Sequence, residues 1–145
     1  MSLDEVGDFS FRGNGSGDVD VAAISGTTLI TTNGSGDIEI DDLVGNFEYS
    51  NQGSGDLSID HLEGSKVNIR LNGSGDVEID SGDIETLSIK TNGSGDVDYG
   101  GQAEDVSIRS SGSSDTYVKY ASGDVNVSVN GSGRAKVDGV SYKRN

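Results

Sequence analysis

The carboxylates of this chain recur in a fixed setting, and they are the residues whose type and spacing suggest chemistry. An aspartate follows Gly-Ser-Gly in "NGSGDVDV" (residues 14–21), and near copies of this stretch begin at residues 33, 52, 72 and 92. What we call the aspartate column comprises Asp18, Asp37, Asp56, Asp76, Asp96 and Asp115, and it ends at Arg134. Two residues further along the chain, acidic side chains recur at Asp20, Glu39, Glu78 and Asp98. Rows of oxygen ligands are typical of backbone caps, calcium sites or ligand-binding faces.

Three hypotheses account for the aspartate column. Unit charges about 5 Å apart repel by roughly 0.8 kcal/mol even in bulk water, so something must compensate. In the favoured hypothesis each carboxylate accepts hydrogen bonds from backbone amides of its own or a neighbouring Gly-Ser-Gly corner. In the second, calcium lies between successive carboxylates, although the calcium-binding nonapeptide pattern is not met. In the third, the carboxylates bind cationic or hydroxylated groups.

Candidate catalytic residues are few. The chain has no cysteine, and its one histidine, His61, is interpreted as a surface residue beside Asp60. A glycosidase needs two carboxylates of unlike pKa in a cleft, whereas a repeat supplies many equivalent ones. Catalysis would need a break in the repeat, such as residues 60–64, 81–86 or 110–120, the last with Tyr117 and Tyr120. We therefore expect no enzyme and no catalytic, cofactor-binding or metal-binding residues; a polysaccharide-active or calcium-binding protein is the alternative.

A second recurring position is partly basic. It carries Arg12, Thr31, Ser50, Arg70, Lys90 and Arg109, on the strand before each corner. The favoured interpretation is a solvated face that limits aggregation at sheet edges. The alternative is a binding strip for an anionic glycan.

Composition limits the class of protein. The chain has 145 residues, enough for one domain, and only 31% are hydrophobic, with a formal net charge of −15. Such values approach those of disordered chains, but the 23 glycines are periodic, which favours order. The negative charge argues against nucleic acid and anionic membrane surfaces as partners. No apolar run approaches the roughly 18 residues of a spanning helix, so no membrane insertion is expected.

The repeat length and the apolar pattern predict a solenoid. The first glycine of each corner falls at Gly15, Gly34, Gly53, Gly73, Gly93, Gly112 and Gly131, a spacing of 19 or 20 residues. Apolar residues alternate with polar ones after each aspartate and before each corner, which is typical of half-buried strands. A third apolar point per repeat lies at Ile24, Leu43, Leu62, Ile84, Ala103 and Val140. These features predict an all-β, single-stranded β-helix of about seven rungs, with right-handed connections.

Stacking explains the remaining constant residues. An amide column of Asn14, Asn33, Gln52, Asn72, Asn92, Ser111 and Asn130 precedes the corners, and its members are expected to hydrogen-bond along the axis. The corner glycines are expected to permit positive φ and close approach of successive backbones.

The recurrent "GSGD(V/I)" rungs, with "NGSGDVDYGG" and "VNGSGRAKV", resemble the bacterial family described as putative auto-transporter adhesin, head GIN domain. The resemblance extends from about Phe9 to Val137. It implies a right-handed β-helix on the cell surface or in the periplasm, and it brings no catalytic residues with it.

Together these observations predict one β-helix domain over residues 1–145, with 1–8 leading into it and 138–145 as a tail. We expect a non-enzymatic adhesion or interaction module that presents an acidic face to an unknown surface glycan or protein. An uncapped solenoid exposes strand edges, so self-association through its ends or faces is also expected.

Overall fold

The computed structural model describes residues 2–139 and 143–144 of the chain, and within them every regular element is a β-strand. The strands are Ser2–Val6 (β1), Phe9–Gly13 (β2), Val19–Ser25 (β3), Thr28–Thr32 (β4), Ile38–Val44 (β5), Phe47–Asn51 (β6), Leu57–Leu71 (β7), Val77–Thr91 (β8), Val97–Ser110 (β9), Thr116–Ala121 (β10), Val125–Val129 (β11), Ala135–Gly139 (β12) and Lys143–Arg144 (β13).

All strand pairs are parallel, and each strand pairs with its counterpart one repeat away. One run of neighbours is β1-β3-β5-β7-β8-β9-β10-β12, and its members from β3 to β10 begin just after the aspartates of the column. The other run joins β2, β4 and β6 to β7, and β9 to β11 and β13. The long strands β7, β8 and β9 belong to both runs, so the sheet winds into a solenoid of about seven turns. The predicted all-β stack of rungs is confirmed, while its right-handed sense stays a prediction.

The core is a set of inward columns fixed by the register. Ile40 pairs with Ile59, Ile59 with Ile79, and Ile79 with Tyr99, and all are buried. The alternation in each strand places these side chains inside and the residues between them outside. Since like residues stack on like, a core forms from only a few apolar residues per rung. This repetition is how a chain with so few hydrophobic residues orders itself.

The third inward point is confirmed at the predicted residues that the structure describes. The buried side chains there are Ile24, Leu43, Leu62, Ile84 and Ala103. The column continues at Ala121, which pairs with Ala103 and is buried. Val140 lies outside the described residues. A register irregularity between Val118 and Tyr120 accompanies this step, in the rung whose sequence departs most from the repeat.

The sequence predicts that the corner glycines permit positive φ and close approach of successive backbones. The prediction of positive φ is wrong. Among the described residues the only glycine with positive φ is Gly45 (φ 135°), outside the Gly-Ser-Gly corners. The corner glycines are needed because of close approach: a Cβ on Gly53 would overlap the carbonyl oxygen of Gly34, and one on Gly55 would overlap that of Gly36. The backbones of successive rungs stack directly, so no side chain fits between them.

Candidate functional site

The aspartate column forms a continuous hydrogen-bonded ladder. In each step a carboxylate Oδ1 accepts from the backbone N–H at the same position of the next rung. Asp37 N donates to Asp18 at 3.0 Å, and Asp96 N donates to Asp76 at 2.9 Å. The ladder ends at Arg134, whose N–H donates to Asp115 at 3.0 Å. This is the predicted capping of a neighbouring corner, and the donor is the backbone of the next aspartate itself.

The amide column is confirmed at three steps. Asn33 Nδ2 donates to Asn14 Oδ1 at 3.2 Å, and Asn92 Nδ2 donates to Asn72 Oδ1 at 3.0 Å. The Ser111 hydroxyl donates to Asn92 Oδ1, so a hydroxyl replaces the amide in the degenerate rung. The exposed side chains before the corners therefore also link neighbouring rungs.

Asn51 is a buried polar residue that sequence reasoning missed. Its Nδ2 donates to Gly55 O at 2.7 Å, and its Oδ1 accepts from Gly53 N at 2.7 Å, so it closes its own corner from inside. The "NQ" doublet at residues 51–52 was the available signal, because only one of two neighbouring amides belongs to the outward column. Both groups of Asn51 are satisfied, so its role is structural.

The buried phenols are also structural. Burial raises the pKa of Tyr49 to about 12. Burial, helped by the negative charge of Asp83, raises the pKa of Tyr99, whose hydroxyl donates to Gln102 O at 2.7 Å. Both shifts move away from neutral pH, so neither phenol is a candidate general base.

The breaks in the repeat hold small polar clusters at the surface. His61 is a surface residue, as predicted, and its ring nitrogens lie 3.1 Å from Ser81 Oγ and 3.1 Å from Glu63 Oε1. In the degenerate rung, the Tyr117 hydroxyl donates to Asp138 at 3.0 Å, and this bond raises the pKa of Tyr117. The first cluster brings a serine, a histidine and a glutamate into contact, but the Ser81 hydroxyl donates to Asp60 O at 2.9 Å, so its proton is not directed at the His61 ring. The second cluster is a tyrosine that donates to an aspartate.

Clusters of possible metal ligands are absent from residues 2–139 and 143–144. No group of three or more histidine, aspartate or glutamate side chains is gathered there around a point where a cation would fit. The same part of the chain contains no helix long and apolar enough to cross a membrane.

The partly basic position forms a true column on one face. Arg70 pairs with Lys90, and Lys90 with Arg109, so three cations lie on successive rungs. Their side chains are exposed. Lys90 and Arg109 line an open groove of about 620 Å³ together with Asn92, Ser107 and Asn126.

Comparison with known proteins identifies one family. Searches of curated proteins and of solved structures give no match. The model of one family, described as "Putative auto-transporter adhesin, head GIN domain", matches residues 10–140. That span covers the Gly-Ser-Gly-Asp rungs and nearly the whole described solenoid. The chain therefore belongs to the putative auto-transporter adhesin, head GIN domain family.

Proposed function

We propose that this chain is a non-enzymatic adhesion and interaction module that acts at the cell surface or in the periplasm. The family to which it belongs is described as a putative adhesin, which supports a surface role. The partner in this proposal is a surface glycan or protein that contacts the outward columns of the solenoid.

One observation carries the proposal: the most repeated polar group, the aspartate, is used to join rungs. Each Oδ1 in the column accepts a backbone N–H, as in the 2.9 Å bond from Asp76 N to Asp56. These carboxylates are equivalent to one another, and a catalytic pair needs two groups in different environments. A rigid rod with like side chains on every rung instead suits contact at many points with a repetitive surface.

The proposal is tested with beads that carry the folded protein. We expect these beads to adhere to bacterial cells or to spots of a glycan array, and beads that carry the core variant Ile79→Asp to adhere much less. In parallel, the soluble protein is incubated with a panel of polysaccharides, and new reducing ends and unsaturated products are measured. Turnover of any polysaccharide would overturn the non-enzymatic part of the proposal. Equal adhesion of folded and unfolded protein would overturn the adhesion part.

A further inference from the structure

The outward side chains of residues 68–72, 88–92, 107–111 and 126–130 form a face that we call the basic face. Its members are Asn68, Arg70, Asn72, Ser88, Lys90, Asn92, Ser107, Arg109, Ser111, Asn126, Ser128 and Asn130. Three are cations, and all the others are asparagine or serine. The face contains no carboxylate, although the chain has 25 aspartates and glutamates. Carboxylates are therefore absent from these columns over four successive rungs, and the column of Asn68 reaches one, Glu48, in the rung before.

Within residues 2–139 and 143–144 the three cations have no ionic partner. The one ion pair among the described residues joins His61 and Glu63. Parallel pairing places Arg70, Lys90 and Arg109 one strand spacing apart, about 4.8 Å at each step. Like charges at that spacing repel one another, so this column does not stabilise the fold. A face that served only to keep the protein soluble would be expected to intersperse acidic side chains among its cations.

The neighbouring columns add hydrogen-bonding groups on both sides of the cations. Asn68, Ser88, Ser107 and Asn126 lie on one side; Asn72, Asn92, Ser111 and Asn130 lie on the other. Amides and hydroxyls both donate and accept, as the hydroxyls of a sugar do. Members of both columns line the groove together with Lys90 and Arg109.

From this arrangement we propose that the basic face binds a linear anionic polysaccharide that lies along the solenoid axis. This inference rests on the proposed adhesion function and names the ligand class. The cations pair with carboxylate or sulfate groups of the polymer, and the flanking asparagines and serines contact its hydroxyls. Single-stranded nucleic acid fits less well, because it is bound by stacked aromatic side chains and a strongly positive groove. The basic face has no aromatic residue, and the chain carries a net charge of −15.

The test measures binding of the whole chain to immobilised polygalacturonate, dextran sulfate, neutral dextran and single-stranded DNA. We expect one or both anionic polysaccharides to bind, neutral dextran not to bind, and added salt to weaken the binding. The two anionic polymers distinguish a carboxylate ligand from a sulfate ligand. Tighter binding to DNA than to either polysaccharide would overturn the proposal, as would binding to neither polysaccharide.

The variant Arg70→Gln/Lys90→Gln/Arg109→Gln tests the location. It should lose roughly tenfold or more in affinity for the polysaccharide, because three charge contacts are removed together. The matched control is Lys119→Gln/Arg134→Gln/Lys136→Gln, which replaces exposed cations outside the basic face. Both variants change the formal net charge from −15 to −18 (−15 − 3), so the overall field changes equally. An equal loss in both variants would mean that net charge governs binding, and the basic face would not be the site.

Thermal melting shows whether each variant is folded, and the three single variants replace the triple variant if it melts early. The same proteins in the bead assay separate this inference from the proposed function. If wild type and both triple variants adhere to cells equally well, the adhesion function is supported, and the proposal that the basic face binds the polysaccharide is wrong. If wild type binds polygalacturonate but no cell or glycan surface, polysaccharide binding by the basic face is supported and the adhesion function is wrong.

Discussion

The aspartates after the Gly-Ser-Gly corners form a row of like charges. At each step of the row, a hydrogen bond to the carboxylate offsets the repulsion between neighbouring charges. A hydrogen bond to a charged group contributes about 1.5–3 kcal/mol, whereas carboxylates about 5 Å apart repel by roughly 0.8 kcal/mol in water. One backbone N–H lies within 3.0 Å of each of the carboxylates Asp37, Asp56 and Asp96. The bond exceeds the repulsion, so the column stabilises the stack even though its charges are alike.

This account predicts different effects of two substitutions at Asp76. Asp76→Asn keeps an acceptor for Asp96 N and relieves repulsion, so its stability should be near that of wild type. Asp76→Ala removes the acceptor and should cost roughly 1 kcal/mol, as other lost caps do. Urea unfolding measures both, and Glu78→Ala, which removes an exposed charge from the same rung, is the control and should be nearly neutral. An equal loss from Asn and Ala would show that charge, not hydrogen bonding, matters at this position.

Calcium gives a second test of the same column. One oxygen of each carboxylate is already held by a backbone amide, so we expect no rise in the wild-type melting temperature when millimolar calcium replaces EDTA. A ligand that bound only the folded protein would raise that temperature by mass action. A rise of several degrees that disappears in Asp76→Asn would establish calcium between the rungs.

Thr28 offers the opposite case, a polar group that weakens the fold. It is fully buried between Phe9 and Phe47 in the register, and its hydroxyl has no hydrogen-bond partner among the described residues. Thr28→Val removes this hydroxyl with little change of shape and should raise the free energy of unfolding by about 1 kcal/mol. The urea midpoint should rise at constant slope, while the exposed control Thr86→Val should change little. A loss of stability in Thr28→Val would show that the hydroxyl has a partner.

At the scale of the element, the corner is a stack of backbones. The glycines of one corner lie against the carbonyl oxygens of the corner before it, as Gly73 lies on Gly53. No described backbone stacks against Gly15 in this way, and a Cβ on it would meet nothing within 4 Å. Identical sequence motifs therefore carry different constraints, depending on the place of the rung in the stack.

This difference predicts the outcome of a pair of substitutions in the same motif. Gly53→Ala places a methyl group against the Gly34 carbonyl and should destabilise the protein by about 1–3 kcal/mol, in the range of overpacked sites. Gly15→Ala should be neutral or slightly stabilising, because it only restricts the unfolded chain. Unfolding in urea compares them, and equal effects would mean that backbone conformation, not close approach, selects glycine.

Among the substitutions proposed here, the largest loss of stability is expected at a buried position inside a strand. Ile79 is buried in β8, paired with Ile59 on one side and Tyr99 on the other. Ile79→Asp should cost several kcal/mol, because it buries a charge with no partner. The conservative Ile79→Val should cost only about 1 kcal/mol. Melting of Ile79→Asp close to that of wild type would mean that this column does not face the core.

The sequence was sufficient to predict the inward columns and the parallel stack. A fixed period sets the register, and two-residue alternation sets the side that faces inward, so Ile40, Ile59 and Ile79 needed no further information. Asn51 could not be predicted, because its inward direction depends on how its own corner closes. Ala121 was missed for a related reason, since the register shifts after Val118. The extent of the basic face could not be predicted either, because it depends on the strand pairing that aligns all three outward columns.

At the scale of the whole molecule, the first rung leaves two strand edges open. β1 pairs only with β3, and β2 pairs only with β4, so each has one unpaired side in the described chain. Open edges of parallel strands are templates for another chain. At the opposite end of a second copy, β12 has five residues, the same length as β1.

We therefore propose end-to-end self-association, to be followed by light scattering over a range of concentrations. Phe9 N donates to Thr27 O, toward the second rung, so the N–H of Ser10 points to the open edge. Ser10→Pro removes that edge donor without removing an internal bond and should shift the equilibrium toward monomer. A wild-type protein that stays monomeric at the highest concentration would contradict the proposal.

The direction of the hydrogen bonds between rungs has a mechanical consequence. These bonds run along the solenoid axis, as Leu57 N to Asp76 O and Val77 N to Asp96 O do. A pull on the two ends loads the rung interfaces in series, so the weakest end rung detaches first while the others stay folded. Each detached rung of about 19 residues releases up to roughly 65 Å of chain. Under tension the rod lengthens in nearly equal steps, and Arg70, Lys90 and Arg109 on β7, β8 and β9 stay in place until those inner rungs are reached.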